Sequence, residues 1–152
     1  MSAAIKLPLT DDEKSRLRQA KVKIADVHRL TKDEIAERLG VSNDRANVIK
    51  GLADFQSVPS IGQKLAEKLV FKLNIYSLEE MREKDGAQLI DELEQKLGVW
   101  TDSCVEDQIR CVIYFSKNPS SSKQWFDFTE ERKRYRQING YPENRPKKGW
   151  YE

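Results

Sequence analysis

Apolar positions recur at three- and four-residue intervals along most of the chain, and short polar clusters able to cap or stop a helix separate them. Thr10 can cap and Glu13 stands at the reciprocal position, so a helix is predicted from Asp11 through the basic run 14–23. Leu17, Ala20, Ile24 and Val27 would form its apolar face. Thr31 and Glu34 repeat that signature before a helix over 32–39, which buries Ile35, Ala36 and Leu39 and stops at Gly40. Ser42 caps a helix over about 43–55, with Ala46, Ile49, Leu52 and Ala53 facing inward. After a turn at 56–59, a helix beginning at Ser60 or Ile61 runs to about Phe71, its apolar positions Leu65, Ala66, Leu69 and Val70. Ser77 and Glu80 open a helix over 78–83. A further helix over 87–97 carries the stripe Leu89, Ile90, Leu93 and Leu97 and ends at Gly98. Asp102 or Ser103 starts the next, through Ile109, Val112 and Ile113, and Asn118-Pro119 ends it.

Beyond a polar linker at 119–123 the pattern changes. Trp125, Phe126, Phe128, Tyr135, Tyr141, Trp150 and Tyr151 bring aromatic density with little aliphatic periodicity. One helix over 129–138 is expected there, then an extended tail broken by Pro142 and Pro146. Exposing so many aromatics is costly, so the tail is expected to lie against the body of the protein. No strand pattern competes. The expected fold is all-α: a helical domain over 1–118, with a linker, short helix and aromatic-rich tail over 119–152 docked on it.

Composition narrows the function. Charged residues make up 34% of the chain, yet 27 basic and 25 acidic groups leave a net charge of only +2. A nucleic-acid binder of this balance must gather its positive charge on one face. Residues 1–54 carry a net +2, residues 55–122 a net −3 and residues 123–152 a net +3. The ends and the centre of the chain therefore have opposite sign. No apolar run is long enough to span a bilayer and the first residues do not resemble a secretion signal, so no membrane partner and an intracellular location are expected. Cys104 and Cys111 lie about two helical turns apart, too far for a disulfide, and read as small buried thiols.

The segment 55–70 carries the clearest local motif. A helix reaches a tight turn at Pro59-Ser60-Ile61-Gly62 and a second helix starts at once. Amides at a helix start have no intrahelical partner and can hold a phosphate oxygen. Gly62 removes a side chain where a backbone must come close. Ile61 can wedge between the helices, and Ala66 permits their close contact. Lys64 and Lys68, one turn apart, can neutralise neighbouring phosphates. The segment resembles the helix-hairpin-helix motif of DNA-repair and recombination proteins, in which the loop is commonly Pro-Gly-Xaa-Gly with an alanine four residues on. Pro59, Ile61, Gly62 and Ala66 match, and Ser60 departs from a family glycine. A degenerate copy lies at 39–46, with Gly40, Ser42 and Ala46 at the corresponding positions. The expected architecture is thus a tandem helix-hairpin-helix bundle with an additional C-terminal helix.

A broader resemblance runs through residues 53–62, Tyr76-Ser77-Leu78, Lys84-Asp85-Gly86, 93–97 and 104–114, and through the endings 125–132 and 141–152. In these segments the chain is similar to the bacterial pathogenicity-locus family of small helix-hairpin-helix proteins, in its longer form. That resemblance implies a bacterial cytoplasmic protein with a presumed DNA-binding role.

Catalytic chemistry finds little purchase. His28 is the one histidine and is remote in sequence from the two cysteines, whose spacing does not suit a zinc knuckle. Cys104 has no evident base, and Asp107 and Arg110 read as surface charge. Carboxylate pairs at 11–12, 79–80 and 130–131 fit helix starts. No cofactor is expected. The leading expectation is non-enzymatic, largely sequence-independent binding of the DNA backbone, by Ser60, Ile61, Gly62, Gln63, Lys64 and Lys68, with Arg45, Lys14, Arg18 and Lys21 extending the face. Arg132, Lys133, Arg134 and Arg136 can either join it or cover the acidic middle of the chain. The alternative is a protein-interaction or structural module, including a homo-oligomer, that binds no nucleic acid.

Overall fold

A computed structural model describes residues 4–152. The local capping signals are realised. Helix α1 (Asp11–Gln19) and α2 (Lys32–Leu39) each begin with a reciprocal capping box, Thr10 with Glu13 and Thr31 with Glu34. Helix α3 (Asn43–Gln56) starts on Ser42, whose Oγ accepts from the Arg45 N–H. Helix α4 (Gln63–Glu67) continues through a wider π turn at Lys68–Lys72. Helix α5 (Leu78–Met81) starts on Ser77, α6 (Gly86–Leu97) on Asp85 and α7 (Ser103–Lys117) on Asp102. A 3-10 turn at Trp125–Phe128 leads into α8 (Thr129–Asn139). Among the described residues there is no strand, only an isolated bridge between Trp100 and Gly149. None of these helices is long and apolar enough to cross a membrane.

Two expectations fail at the N-terminal end. The basic run is not one helix. α1 closes at Ala20, with the Lys21 N–H on the Arg18 carbonyl and the Val22 N–H on the Leu17 carbonyl, both 3.0 Å. This is the glycine-type helix stop, built with Lys21 at φ +59°. The chain then turns into a short 3-10 helix, Ile24–Arg29. Val27 is buried as expected, but Ala20 and Ile24 are exposed.

Helix α3 joins two apolar cores. Ala46, Ile49 and Ala53 pack with Leu17, Val27, Ile35 and Leu39. Leu52 and Phe55 pack instead with Leu65, Leu69, Leu93, Ile109 and Phe128. A helix with apolar residues on both faces is buried on both. The central position of α3 fixes the turn at its end with respect to both halves.

The acidic centre and basic tail meet in a set of ion pairs. Asp107 is 1% exposed, which corrects its reading as surface charge. Arg132 holds it at 2.8 Å and the Thr129 hydroxyl donates to it at 2.9 Å. Glu106, also buried, is shared by Arg110 at 2.9 Å and Arg136 at 3.1 Å. Arg136 reaches Asp91 at 3.1 Å as well. Arg145 forks onto Glu94 at 2.8 and 3.0 Å, and the Thr101 N–H adds 2.7 Å on the same carboxylate. Burial pushes the Glu94 carboxyl up, but Arg145 and the Thr101 amide outweigh it and leave Glu94 below the usual range. Removing one partner from such a buried pair costs about 3–5 kcal/mol.

Candidate nucleic-acid interface

The turn after α3 is closed by its own backbone. The Ser57 N–H returns to the Ala53 carbonyl, Val58 to Phe55 and Ile61 to Val58, at 3.1–3.2 Å. Ile61 is 3% exposed and belongs to the core, so its side chain and its amide are both taken. Ser60 sits at φ +66°, a left-handed conformation in which glycine is at ease and serine is not. A glycine would adopt this conformation without strain. Serine brings a compensating contact: its Oγ accepts from the Trp125 N–H at 2.9 Å, which pins the start of the tail to the turn.

Gly62 precedes α4 and offers no capping side chain. The amides of residues 62–65 find no hydrogen-bond partner among the described residues. Such donors, together with the helix dipole, favour an anion. Gly62 itself lies at an ordinary φ of −104°, and a Cβ built on it meets nothing within 4 Å. Neither its backbone conformation nor packing by the described residues requires glycine there.

These amides border an open recess of about 310 Å³, lined by residues 62–65 together with Ala4, Lys6 and Gln108. Lys64 is exposed and Lys68 half-buried, and neither forms an ion pair among the described residues. Sequence reading missed Lys6 and Gln108. Lys6 is brought here by a reciprocal pair: its N–H donates to Gln56 Oε1 at 2.9 Å, while Gln56 Nε2 donates to its carbonyl at 2.8 Å. Those residues are fifty positions apart, so no local spacing announces the contact.

The other expected residues divide. Lys14 and Arg18 are exposed on α1 and line a separate recess of about 370 Å³ with Leu17, Val22 and Ile24. Lys21 is exposed in the turn that follows. Arg45 is committed internally, forking onto Glu13 at 2.9 and 3.1 Å and donating to the Pro8 carbonyl at 2.6 Å. The hydrogen bond from Arg45 holds the Glu13 carboxyl below its usual range despite partial burial. This pair ties α3 to α1 and takes Arg45 out of any outward face.

Burial pushes the Cys104 thiol up to about 11, with the Asp102 carboxylate adding to it, and the Cys111 thiol up to about 12. Both are therefore poor nucleophiles at neutral pH. The two are free thiols. His28 Nδ1 lies 2.9 Å from the Ala25 carbonyl of its own turn. Among the described residues no group of three or more His, Cys, Asp and Glu side chains converges.

Fold and turn together define an all-helical protein with an open helix entry flanked by lysines. The family model described as Cdd1, pathogenicity locus, matches residues 48–134, and the chain belongs to this family. The matched region opens within α3, takes in the turn and α4, and closes within α8. No curated protein and no solved structure matches the chain.

Proposed function

We propose that this protein binds the nucleic-acid backbone through the turn between α3 and α4, without catalysis and with little regard to sequence. In this reading the turn is a helix-hairpin-helix site and the α2–α3 junction a degenerate, structural copy of it. One backbone phosphate sits against the free amides of residues 62–65. Lys64 and Lys6 approach the same phosphate from either side, and Lys68 meets the next one.

The observation that carries the reading is Gly62. Among the described residues nothing packs against it, and its φ of −104° is open to other residues, so a ligand can come close to the unpartnered amides of residues 62–65. Phosphates are the same in every sequence, which makes the binding sequence-tolerant and salt-dependent.

The test is duplex binding at two salt concentrations. The Lys64→Glu/Lys68→Glu variant is expected to bind more weakly and to lower the salt slope by about two. Gly62→Ala is expected to weaken binding while moving folding stability by less than about 1 kcal/mol, since a poorer cap and a stiffer unfolded chain oppose each other. Unchanged affinity and slope in both variants would exclude this site.

A second reading, association with a protein or a second copy, draws on α8. Ile138 is 77% exposed there and Tyr135 stands half-exposed. Sedimentation of wild type and Ile138→Lys distinguishes it: a mass above the monomer, lost in the variant, would favour this reading.

A further inference from the structure

The last residues of the chain fold back over the α6–α7 junction and border a shallow, open cavity of about 510 Å³ that shares no lining residue with the recess at residues 62–65. Its walls include the aromatic rings of Trp100, Tyr141, Trp150 and Tyr151, with Asp102 and Arg145 among them. The rings are set by their neighbours. Trp100 and Tyr151 meet edge to face at 5.5 Å and 78°, and Trp150 and Tyr151 at 5.9 Å and 87°. Gly149 makes this possible, because a Cβ there would come within 2.8 Å of the Trp100 ring and 2.9 Å of Tyr151. The segment is held in place by the bridge to Trp100, with the Trp100 N–H on the Lys148 carbonyl and the Trp150 N–H on the Trp100 carbonyl, both 2.9 Å. Trp150 nevertheless remains 55% exposed and Tyr151 66% exposed. A braced wall that keeps large rings in water is a surface built to be covered.

Charge decides what covers it. An aromatic cage for an organic cation wants acidic surroundings. Here Arg145 already lies 3.8 Å from the Tyr141 centroid, and Arg136 lies 4.3 Å from the same ring, so that ring is spent on the protein's own cations. Lys147 and Lys148 stand exposed in the segment between Arg145 and Trp150, two of the lining residues. The Glu152 carboxylate is taken by the Gly149 N–H at 2.6 Å. The balance favours a planar ring that carries a negative group. The rings would stack on it, and the lysines would meet its phosphate. Asp102 lines the same recess as an exposed acceptor: one oxygen accepts from the Cys104 N–H at 3.0 Å and the carboxylate lies against the Cys104 thiol, with capacity left for a donor on a ligand edge. A carboxylate at that place accepts from a base edge that carries N–H donors, and guanine presents two of them side by side.

We propose that this cavity binds an unpaired nucleobase, guanine foremost, carried by a free nucleotide or by a single-stranded segment. The proposal goes beyond the duplex-backbone reading and does not depend on it.

The chain has three tryptophans, one of them, Trp125, at the other site, so three indole N–H resonances report where a ligand sits. The full chain is titrated with guanosine monophosphate, with cytidine monophosphate, and with a guanine-containing single-stranded hexanucleotide and its duplex. The expected result is a shift of the Trp100 and Trp150 indoles, weaker with cytidine and with duplex. Trp150→Ala should weaken binding about tenfold. Asp102→Asn, which keeps a capping side chain, should erase the preference for guanine over cytidine. Equal affinity for mononucleotide and strand assigns the site to free nucleotides, and tighter binding of the strand assigns it to nucleic acid; either supports the proposal. No shift at Trp100 and Trp150 with any ligand, or equal shifts with duplex, would overturn it. The Lys64→Glu/Lys68→Glu variant should retain these shifts, so the two sites fail or stand separately.

Discussion

Ser60 shows how one residue can carry strain and a contact at once. Its positive φ of +66° disfavours any side chain, while its hydroxyl gives the Trp125 N–H a partner. Ser60→Ala keeps the strain and loses the hydrogen bond. Ser60→Gly loses the bond but relieves the strain. Glycine is therefore expected to be the more stable of the two variants by about 1 kcal/mol in urea unfolding; alanine equal to or above glycine would contradict the conformational account. The departure from glycine was visible in the sequence, but its compensation was not, because Trp125 lies 65 positions away. Gly62, by contrast, could be singled out from spacing alone. Its structural surroundings add what spacing could not, namely that no described residue packs into the space it leaves.

At the level of elements, most helix starts could be read directly. A capping residue and its partner sit three positions apart, so Thr10, Thr31, Ser42 and Ser77 declare themselves in any local window. The stop at Lys21 could not be read, because the left-handed position is filled by lysine instead of glycine or asparagine. The π turn after α4 has no local signal either. The attachment of the tail to α6 rests on Arg145 and Glu94, fifty-one positions apart. Glu94 has its acidity strengthened in the folded state, so its contribution is complete above the ordinary glutamate value, near 4.3, and fades as pH falls below it. Asp54 and Asp91 oppose this trend: burial raises both despite Lys50 and Arg136, so the stability they add is lost as pH rises. Glu94→Gln isolates the first effect. Its deficit against wild type, about 2 kcal/mol at neutral pH, is expected to shrink as pH is lowered through 4, measured by urea unfolding across that range. A deficit independent of pH would contradict the assignment.

Over the whole molecule, opposite charges along the chain resolve into internal pairing. The net-negative centre supplies Glu94, Glu106 and Asp107, and the net-positive tail supplies Arg132, Arg136 and Arg145. The sequence left Arg132, Lys133, Arg134 and Arg136 two uses; the contacts give Arg132 and Arg136 to internal pairing, and Arg145, which sequence reading did not single out, joins them. Much of the tail's positive charge is therefore unavailable to a polyanion, while Lys6, Lys64 and Lys68 at the turn stay outside the pairing. A chain ending at residue 118 would leave three buried carboxylates without their tail arginines and remove Phe128 from the core. It is expected to lose at least about 3 kcal/mol of stability, read as an earlier and broader thermal transition. A truncated chain as stable as the full one would mean that the tail is ornament. The phosphate reading is tested most directly by following backbone amides while a short duplex is added at low salt. The expected result is a set of shifts concentrated at residues 62–65 and at Lys6, fading as salt is raised. Silent amides at those positions, or shifts confined to α8 and the tail, would contradict it.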